Sequence, residues 1–234
     1  MRLFPLVAVL ALLDSAPRAQ PSQLVTIKGY VDAGRDPIPE GGLWVYVVDK
    51  DPQHRRDPKT KLPRREIRQV NTSFEPHVLV VPKGTEIDFP NQDNQAHNVF
   101  SPDPFFDLDK YGPGEKQKSH RFAAAGAEIS IYCDIHKCMW ARVKVVDVPA
   151  PEYIQPVQKD GSYELHLPPG TYEVYAWGLA SREVPSEKKT LAAGELWEVP
   201  ALHVQLGAFD PHHVNKSEQN YPASTQYQGR CPVK

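Results

Sequence analysis

A cysteine, a histidine and a methionine lie close together in the segment from Tyr132 to Met139. Cys133, His136 and Met139 follow a Cys-x2-His-x2-Met spacing, so one tight loop can direct a thiolate, an imidazole and a thioether to a common point. His97 lies upstream, at the start of a strand-like run, where a β-sandwich could bring it beside this loop. Two imidazoles, one thiolate and a weak axial thioether suit one type 1 copper ion, whereas structural zinc usually takes more thiolates and no methionine.

Methionine usage supports this interpretation independently of the spacing. The chain has two methionines, and the first is the initiating residue. If an N-terminal leader is removed, Met139 is the only methionine of the mature protein. A single methionine usually fills a core, but its position three residues after Cys-x2-His favours metal ligation.

The elements that must position these ligands read as short strands separated by turn residues. Pro82-Lys83-Gly84, Pro90-Asn91 and Tyr111-Gly112-Pro113-Gly114 mark breaks between them. Such spacing predicts a β-sandwich. The predicted strands cover 77–81, 85–89, 98–100, 119–122, 128–132 and 141–146.

Residues 65–148 also resemble a known family, the cupredoxins, and within them the plastocyanin/amicyanin-like group. The matching stretches are 74–91, His97-Asn98-Val99-Phe100 and the Cys133 loop. The resemblance implies an eight-stranded Greek-key sandwich with copper near one end, bound by His97, Cys133, His136 and Met139. It also implies that Asn98 ties the two ligand loops together and that the exposed edge of His136 is the electron exit.

Cys138 departs from the usual loop of this family, because a second thiol beside the site could compete for the metal or be oxidised. The chain has three cysteines, so if Cys133 binds copper, Cys138 and Cys231 remain as a pair. In an oxidising compartment they could form a disulfide that fastens the C-terminal tail beside the copper loop. Two free thiols are the alternative.

A second module surrounds this block. Asp160-Gly161-Ser162-Tyr163 and Leu167-Pro168-Pro169-Gly170-Thr171-Tyr172 resemble the carboxypeptidase regulatory-like, or transthyretin-like, β-sandwich. Its opening strands precede the cupredoxin-like block and the others follow it, so we expect a smaller, discontinuous sandwich of residues 24–50 and 149–206. Residues 51–64 form a basic linker, for which a solvated segment is favoured over a docking patch. The polar tail, 207–234, is expected to lie on the surface or to be disordered.

The first 20 residues predict a secretory signal peptide, because a positive start precedes an apolar run too short to span a bilayer. We therefore expect export to the periplasm or the extracellular space, with no membrane span in the mature chain. The net charge of −2 leaves no excess positive charge for phosphate neutralisation, so nucleic acid is not an expected partner.

The sequence predicts an electron carrier that shuttles single electrons between redox partner proteins. Because the protein itself fills the predicted copper coordination, no substrate position remains, and we do not expect an enzyme. Two alternatives stay open: copper storage or delivery without electron transfer, and a structural secreted protein with an incidental metal site.

Overall fold

Strands make up nearly all the regular structure of the residues that the structure describes. The computed structural model describes residues 23–34 and 41–221, so the predicted signal peptide lies outside the described residues. Helical structure in these ranges is confined to short 3-10 turns such as Pro52–His54 and Pro151–Tyr153. None of the helices described could cross a membrane. The predicted all-β fold class is confirmed.

Ten strands lie between residues 65 and 146. β6, β12, β11, β8 and β9 form one sheet in that order, β10, β7 and β3 form another, and β4 pairs with β5. β6 and β12 run parallel, and the remaining pairs of the five-stranded sheet are antiparallel. The strands are β3 (Arg65–Glu66), β4 (Arg68–Val70), β5 (Ser73–Glu75), β6 (Val78–Pro82), β7 (Thr85–Phe89), β8 (His97–Pro102), β9 (Phe105–Tyr111), β10 (Lys118–Phe122), β11 (Glu128–Tyr132) and β12 (Trp140–Val146).

Apolar side chains from both sheets share one core. Ile131 and Val143 of the five-stranded sheet are fully buried, as are Ile87 and Phe89 of the three-stranded sheet. Burial of each such side chain contributes about 1.5–3 kcal/mol relative to exposure. This core fixes the positions of β8, β11 and β12, the strands that flank the predicted ligands.

The remaining described strands form two further sheets, here called the outer sheets. One has the order β14-β1-β17, with β18 also on β1, and the other has the order β13-β2-β15-β16. Strands that precede residue 65 therefore pair with strands that follow residue 148. The strands are β1 (Val25–Asp32), β2 (Leu43–Asp49), β13 (Ile154–Pro156), β14 (Ser162–Leu167), β15 (Gly170–Gly178), β16 (Val184–Leu191), β17 (Leu196–Glu198) and β18 (Leu202–His203).

The basic segment, 51–64, is more tightly held than a solvated linker. Arg56 donates hydrogen bonds to the carbonyl oxygens of Thr60 (3.0 Å) and Lys83 (2.8 Å). Arg64 forms ion pairs with Glu86 (2.7 Å) and Asp88. The segment is thereby fastened to the turn before β7 and to side chains of β7 itself.

A buried lysine joins the two groups of sheets. Lys144 on β12 is 5% exposed, and its Nζ lies 2.8 Å from Glu183 and 3.4 Å from Glu128. Tyr46 on β2 donates to Glu183 (2.5 Å), and the indole N–H of Trp177 on β15 donates to Glu128 (2.9 Å). Each carboxylate thus bridges Lys144 to an aromatic residue of the outer sheets.

Replacement of Lys144 by Met should lower the free energy of unfolding by about 1–3 kcal/mol, because two carboxylates lose their shared cation. Both carboxylates are more than one-third exposed, so the loss is smaller than for a fully buried pair. Urea denaturation of Lys144→Met measures this effect. The control is Lys116→Met on an exposed loop residue, and equal stability of the two variants would contradict the role of the network.

Candidate metal centre

The Cys133–Met139 loop connects β11 to β12, which are adjacent antiparallel strands. The Cys133 amide donates to the carbonyl oxygen of Met139 (3.2 Å), and the Met139 amide donates to that of His136 (3.1 Å). These bonds close the loop at its base and turn it back toward the sheet. Cys133 and Met139 are fully buried, whereas His136 is partly exposed.

His97 reaches this loop from β8, which pairs with β11 through Phe100 and Tyr132. Its Nδ1 lies 3.0 Å from Nδ1 of His136, and the Cys133 Sγ lies 3.6 Å from that same His136 atom. The three donor atoms all lie within 4.8 Å of one another. The structure therefore brings together three of the four residues predicted as ligands.

Burial sets the charge state of these groups. It lowers the pKa of His97, against the opposing effect of Asp93, and lowers the pKa of His136 to about 4, helped by the nearby His97. Both imidazoles are therefore neutral near pH 7 and can offer lone pairs. Burial also raises the pKa of the Cys133 thiol, although backbone N–H groups, including that of Asn98, partly offset it. A cation at this position would stabilise the thiolate.

Asn98, predicted to tie the two ligand loops together, contacts the Cys133 loop through its backbone. Its backbone N–H is directed to the Cys133 sulfur, whereas its side-chain Nδ2 donates to Asp107 (2.7 Å). Its Oδ1 is buried and has no hydrogen-bond partner among the described residues. The link between the two ligand segments is thus made by the main chain.

Met139 lies at the base of the loop, enclosed by the core. Its backbone is hydrogen-bonded to those of Cys133 and His136, and ligation by its thioether stays a prediction. Cys138 is disulfide-bonded and Cys133 is free. The predicted partner, Cys231, lies outside the described residues, so the Cys138–Cys231 pairing also stays a prediction.

Asp93 is a site residue that the sequence reasoning missed. Its Oδ2 lies 3.0 Å from Nε2 of His97, and its side chain is 8% exposed. Burial would raise the pKa of Asp93, but hydrogen bonds from the Thr72 and Asn94 amides and from His97 lower it overall. The carboxylate thus holds the far nitrogen of the ring and turns Nδ1 toward Cys133 and His136. The sequence signal for this role was a carboxylate four residues before a candidate histidine ligand, because metal-binding histidines commonly donate their second ring N–H to a carboxylate.

The described part of the polar tail, expected to lie on the surface or to be disordered, lies on the surface and is mostly exposed. Residues Phe209–Tyr221, here called the tail strap, pack on the strands beside the loop. The Phe209 ring lies 4.5 Å from that of Trp140, and His213 stacks on Tyr132 at 4.0 Å. Aromatic side chains in an otherwise polar tail supply the apolar surface for this packing.

The spacing of the donor atoms around Cys133 can be compared with that of ligands around a metal ion. Ligand atoms around one ion, at bond lengths near those of zinc, are separated by about 3–4 Å. The His97–His136 and Cys133–His136 separations, 3.0 and 3.6 Å, fall in this range, and the His97–Cys133 separation is no more than 4.8 Å. One buried thiol with two neutral imidazoles is softer than a carboxylate site and has fewer thiolates than structural zinc usually takes. The residues fit a copper ion.

Comparison with known proteins gave structural neighbours only. No family model and no curated protein matches this sequence. A purple cupredoxin from Nitrosopumilus maritimus is 23% identical over 35% of this chain and 98% of its own (TM-score 0.32). An amicyanin is 16% identical over 43% and 98% (TM-score 0.33). The copper-containing nitrite reductase of Thermus scotoductus SA-01 is 24% identical over 38% and 24% (TM-score 0.35). Each of these alignments covers less than half of this chain.

Replacement of Asp93 by Asn should lower copper affinity about 10- to 100-fold, because the His97 ring loses its charged anchor. Competition with a copper chelator measures the dissociation constant. The matched control is Asp109→Asn, since the side chain of Asp109 is 81% exposed and lies outside the site. Equal affinities of the two variants would rule out a positioning role for Asp93.

Proposed function

We propose that this chain is an exported type 1 copper protein that passes single electrons between redox partner proteins. The observation that carries the proposal is the convergence of His97, Cys133 and His136 within 4.8 Å. Met139, at the base of the same loop, would be the axial ligand.

The protein residues have separate tasks in this proposal. Copper supplies a Cu(II)/Cu(I) couple when bound. Cys133 would hold the copper through its thiolate, and its buried position keeps water from the sulfur. His97 and His136 would hold it through their imidazoles, with His97 oriented by Asp93. A site held by the core on one side and a closed loop on the other rearranges little when its charge changes.

His136 is the ligand through which a partner would exchange electrons. It is partly exposed, whereas His97, Cys133 and Met139 have no exposed surface. A partner that docks over His136 therefore reaches the site without opening the core. Such a contact is expected to be small and transient, as in other electron-transfer encounters.

A carrier is favoured over an enzyme because four protein ligands, including Met139, would fill the proposed coordination and leave no position for a substrate. Export is supported by the disulfide at Cys138, since structural disulfides persist in oxidising compartments. The sandwich formed by β1, β2 and β13–β18 would be a domain of the carboxypeptidase regulatory-like kind that acts as a scaffold.

Visible spectroscopy of the copper-loaded protein tests the ligand assignment. Cys133→Ser should abolish the intense thiolate-to-copper band, whereas Met139→Leu should retain the band and shift the reduction potential. Ile135→Val, in the same loop, is the control and should leave both unchanged. A band that survives in Cys133→Ser would sink the assignment, and a normal band without a reversible one-electron wave would favour storage or delivery.

A further inference from the structure

A cleft of about 690 Å³ lies between the cupredoxin-like block and the outer sheets, away from the metal centre. It is lined by the end of β2, by the basic segment that follows, by the Lys83-Gly84 turn and by the chain after β12. Its cationic residues are Arg55, Arg56, Lys83 and Arg121. The proposed electron transfer uses none of them.

Two guanidinium groups converge on Gly84 at the wall of this cleft. A Cβ built on Gly84 would lie 3.5 Å from Nη2 of Arg56 and 3.5 Å from Nη2 of Arg121. Gly84 has φ +89°, a backbone conformation that disfavours a side chain, so the turn leaves this space open. Arg56 is held in place by its bonds to the Thr60 and Lys83 carbonyl oxygens, which do not neutralise its charge.

The cleft has an excess of positive charge, with four cationic residues against three carboxylates. None of the four forms an ion pair with a described residue, whereas neighbouring Arg64 pairs with two carboxylates. Of the carboxylates in the cleft, Asp49 is bound to His54 (2.8 Å) and Asp51 caps the Gln53 amide (2.9 Å). Asp147 is the remaining one. Two guanidiniums directed at one open point repel each other unless an anion lies between them.

We propose that this cleft binds a small oxyanion of two or more negative charges, of the phosphate or pyrophosphate class. Arg56 and Arg121 would donate to its oxygens, with Lys83 and Arg55 at the rim. Planar guanidinium groups suit bidentate contact with such anions, and the volume of the cleft is in the range of small-ligand sites. An acidic protein surface would meet the exposed Arg55, Lys83 and Arg121, whereas Arg56 lies deeper and is open to a small anion.

Isothermal titration with inorganic phosphate and with pyrophosphate, in a buffer free of other oxyanions, tests the site. The full-length protein should bind at least one of them saturably, and Arg121→Gln should weaken binding about 10-fold or more. Asp147→Asn should tighten binding about two- to threefold by removing a like charge. Arg182→Gln is the matched control, since this exposed arginine lies outside the cleft and its loss should change nothing.

Absence of saturable binding to either anion would overturn the proposal. So would equal weakening by Arg121→Gln and Arg182→Gln, which would indicate nonspecific charge attraction. Binding of poly-glutamate without binding of either small anion would overturn it in favour of an acidic protein partner. Circular dichroism of each variant verifies that it is folded.

The tail strap supports a second inference, which rests on different contacts and on the proposed copper function. Tyr221 donates to the carbonyl oxygen of Cys133 (2.5 Å), and Nε2 of His213 lies 3.4 Å from that same oxygen. The Lys216 amide donates to Asp134 (2.8 Å), the next residue of the loop. Nζ of Lys216 lies 2.8 Å from Asp107, whose carboxylate also accepts a hydrogen bond from the Asn98 side chain.

We infer that the tail strap closes the ligand loop and slows the release of copper. His213 and Tyr221 act through the Cys133 backbone and are positioning residues. Because the loop carries Cys133, His136 and Met139, it must open before an ion can leave. Each strap contact that is lost makes that opening more frequent.

Two measurements on Tyr221→Phe test this inference. In the copper-free protein, amide hydrogen exchange within 133–139 should speed up about threefold or more, whether or not copper is the natural ligand. In the copper-loaded protein, transfer to a chelator should speed up by a similar factor with the visible band retained. Tyr30→Phe, on an exposed tyrosine of β1, is the control.

If Tyr221→Phe changed neither the amide exchange rates within 133–139 nor the rate of copper transfer to the chelator, the tail strap would not close the loop. Faster exchange in a protein that gives no thiolate-to-copper band would retain the closure of the loop by the strap and reject the copper function instead. The two failures are thus distinguishable.

Discussion

The site depends on one physical constraint, which is that a thiol removed from water must be stabilised before it can ionise. Cys133 has no exposed surface, and burial raises the pKa of its sulfur. The chain meets this constraint in part with backbone N–H groups from Asn98, Ile135 and His136. A bound cation would supply the rest. Neutral imidazoles on the same side of the sulfur leave room for that cation, because they add no positive charge of their own.

The geometry around Cys133 is set by the sheet rather than by the loop alone. β8 brings His97 to the edge of β11, and the hairpin between β11 and β12 returns His136 to the same point. Asp93 then fixes which nitrogen of His97 faces inward. The strap adds a layer over the loop backbone, so that the ligand segment is held from the core side and from outside. This double support is expected of a site whose donors must stay in place as the metal changes charge.

The block that carries the site is connected to the outer sheets by polar contacts as well as by the chain. Lys144 bridges Glu128 and Glu183, and Arg56 fastens the basic segment to the turn before β7. These contacts leave a cleft in which cations outnumber carboxylates. The same segment that joins the two parts of the molecule therefore also forms a surface with its own chemistry.

Much of this could be predicted from sequence where the signal is local. The Cys-x2-His-x2-Met spacing, the upstream His97 and the alternating runs that became β7, β11 and β12 are local patterns, and so is the all-β class. β9 and β16 were missed because their exposed, charged faces weaken the alternation of apolar residues. The tail strap was missed because its aromatic residues are isolated in polar sequence, and only the folded sheet offers Trp140 and Tyr132 as their partners. The sequence by itself thus determined the types and spacing of the donors. The tertiary structure alone decided their mutual distances, the role of Asp93, the pairing of β1 with β14 and the charge balance of the cleft. These depend on contacts between residues far apart in the chain, which no local pattern encodes.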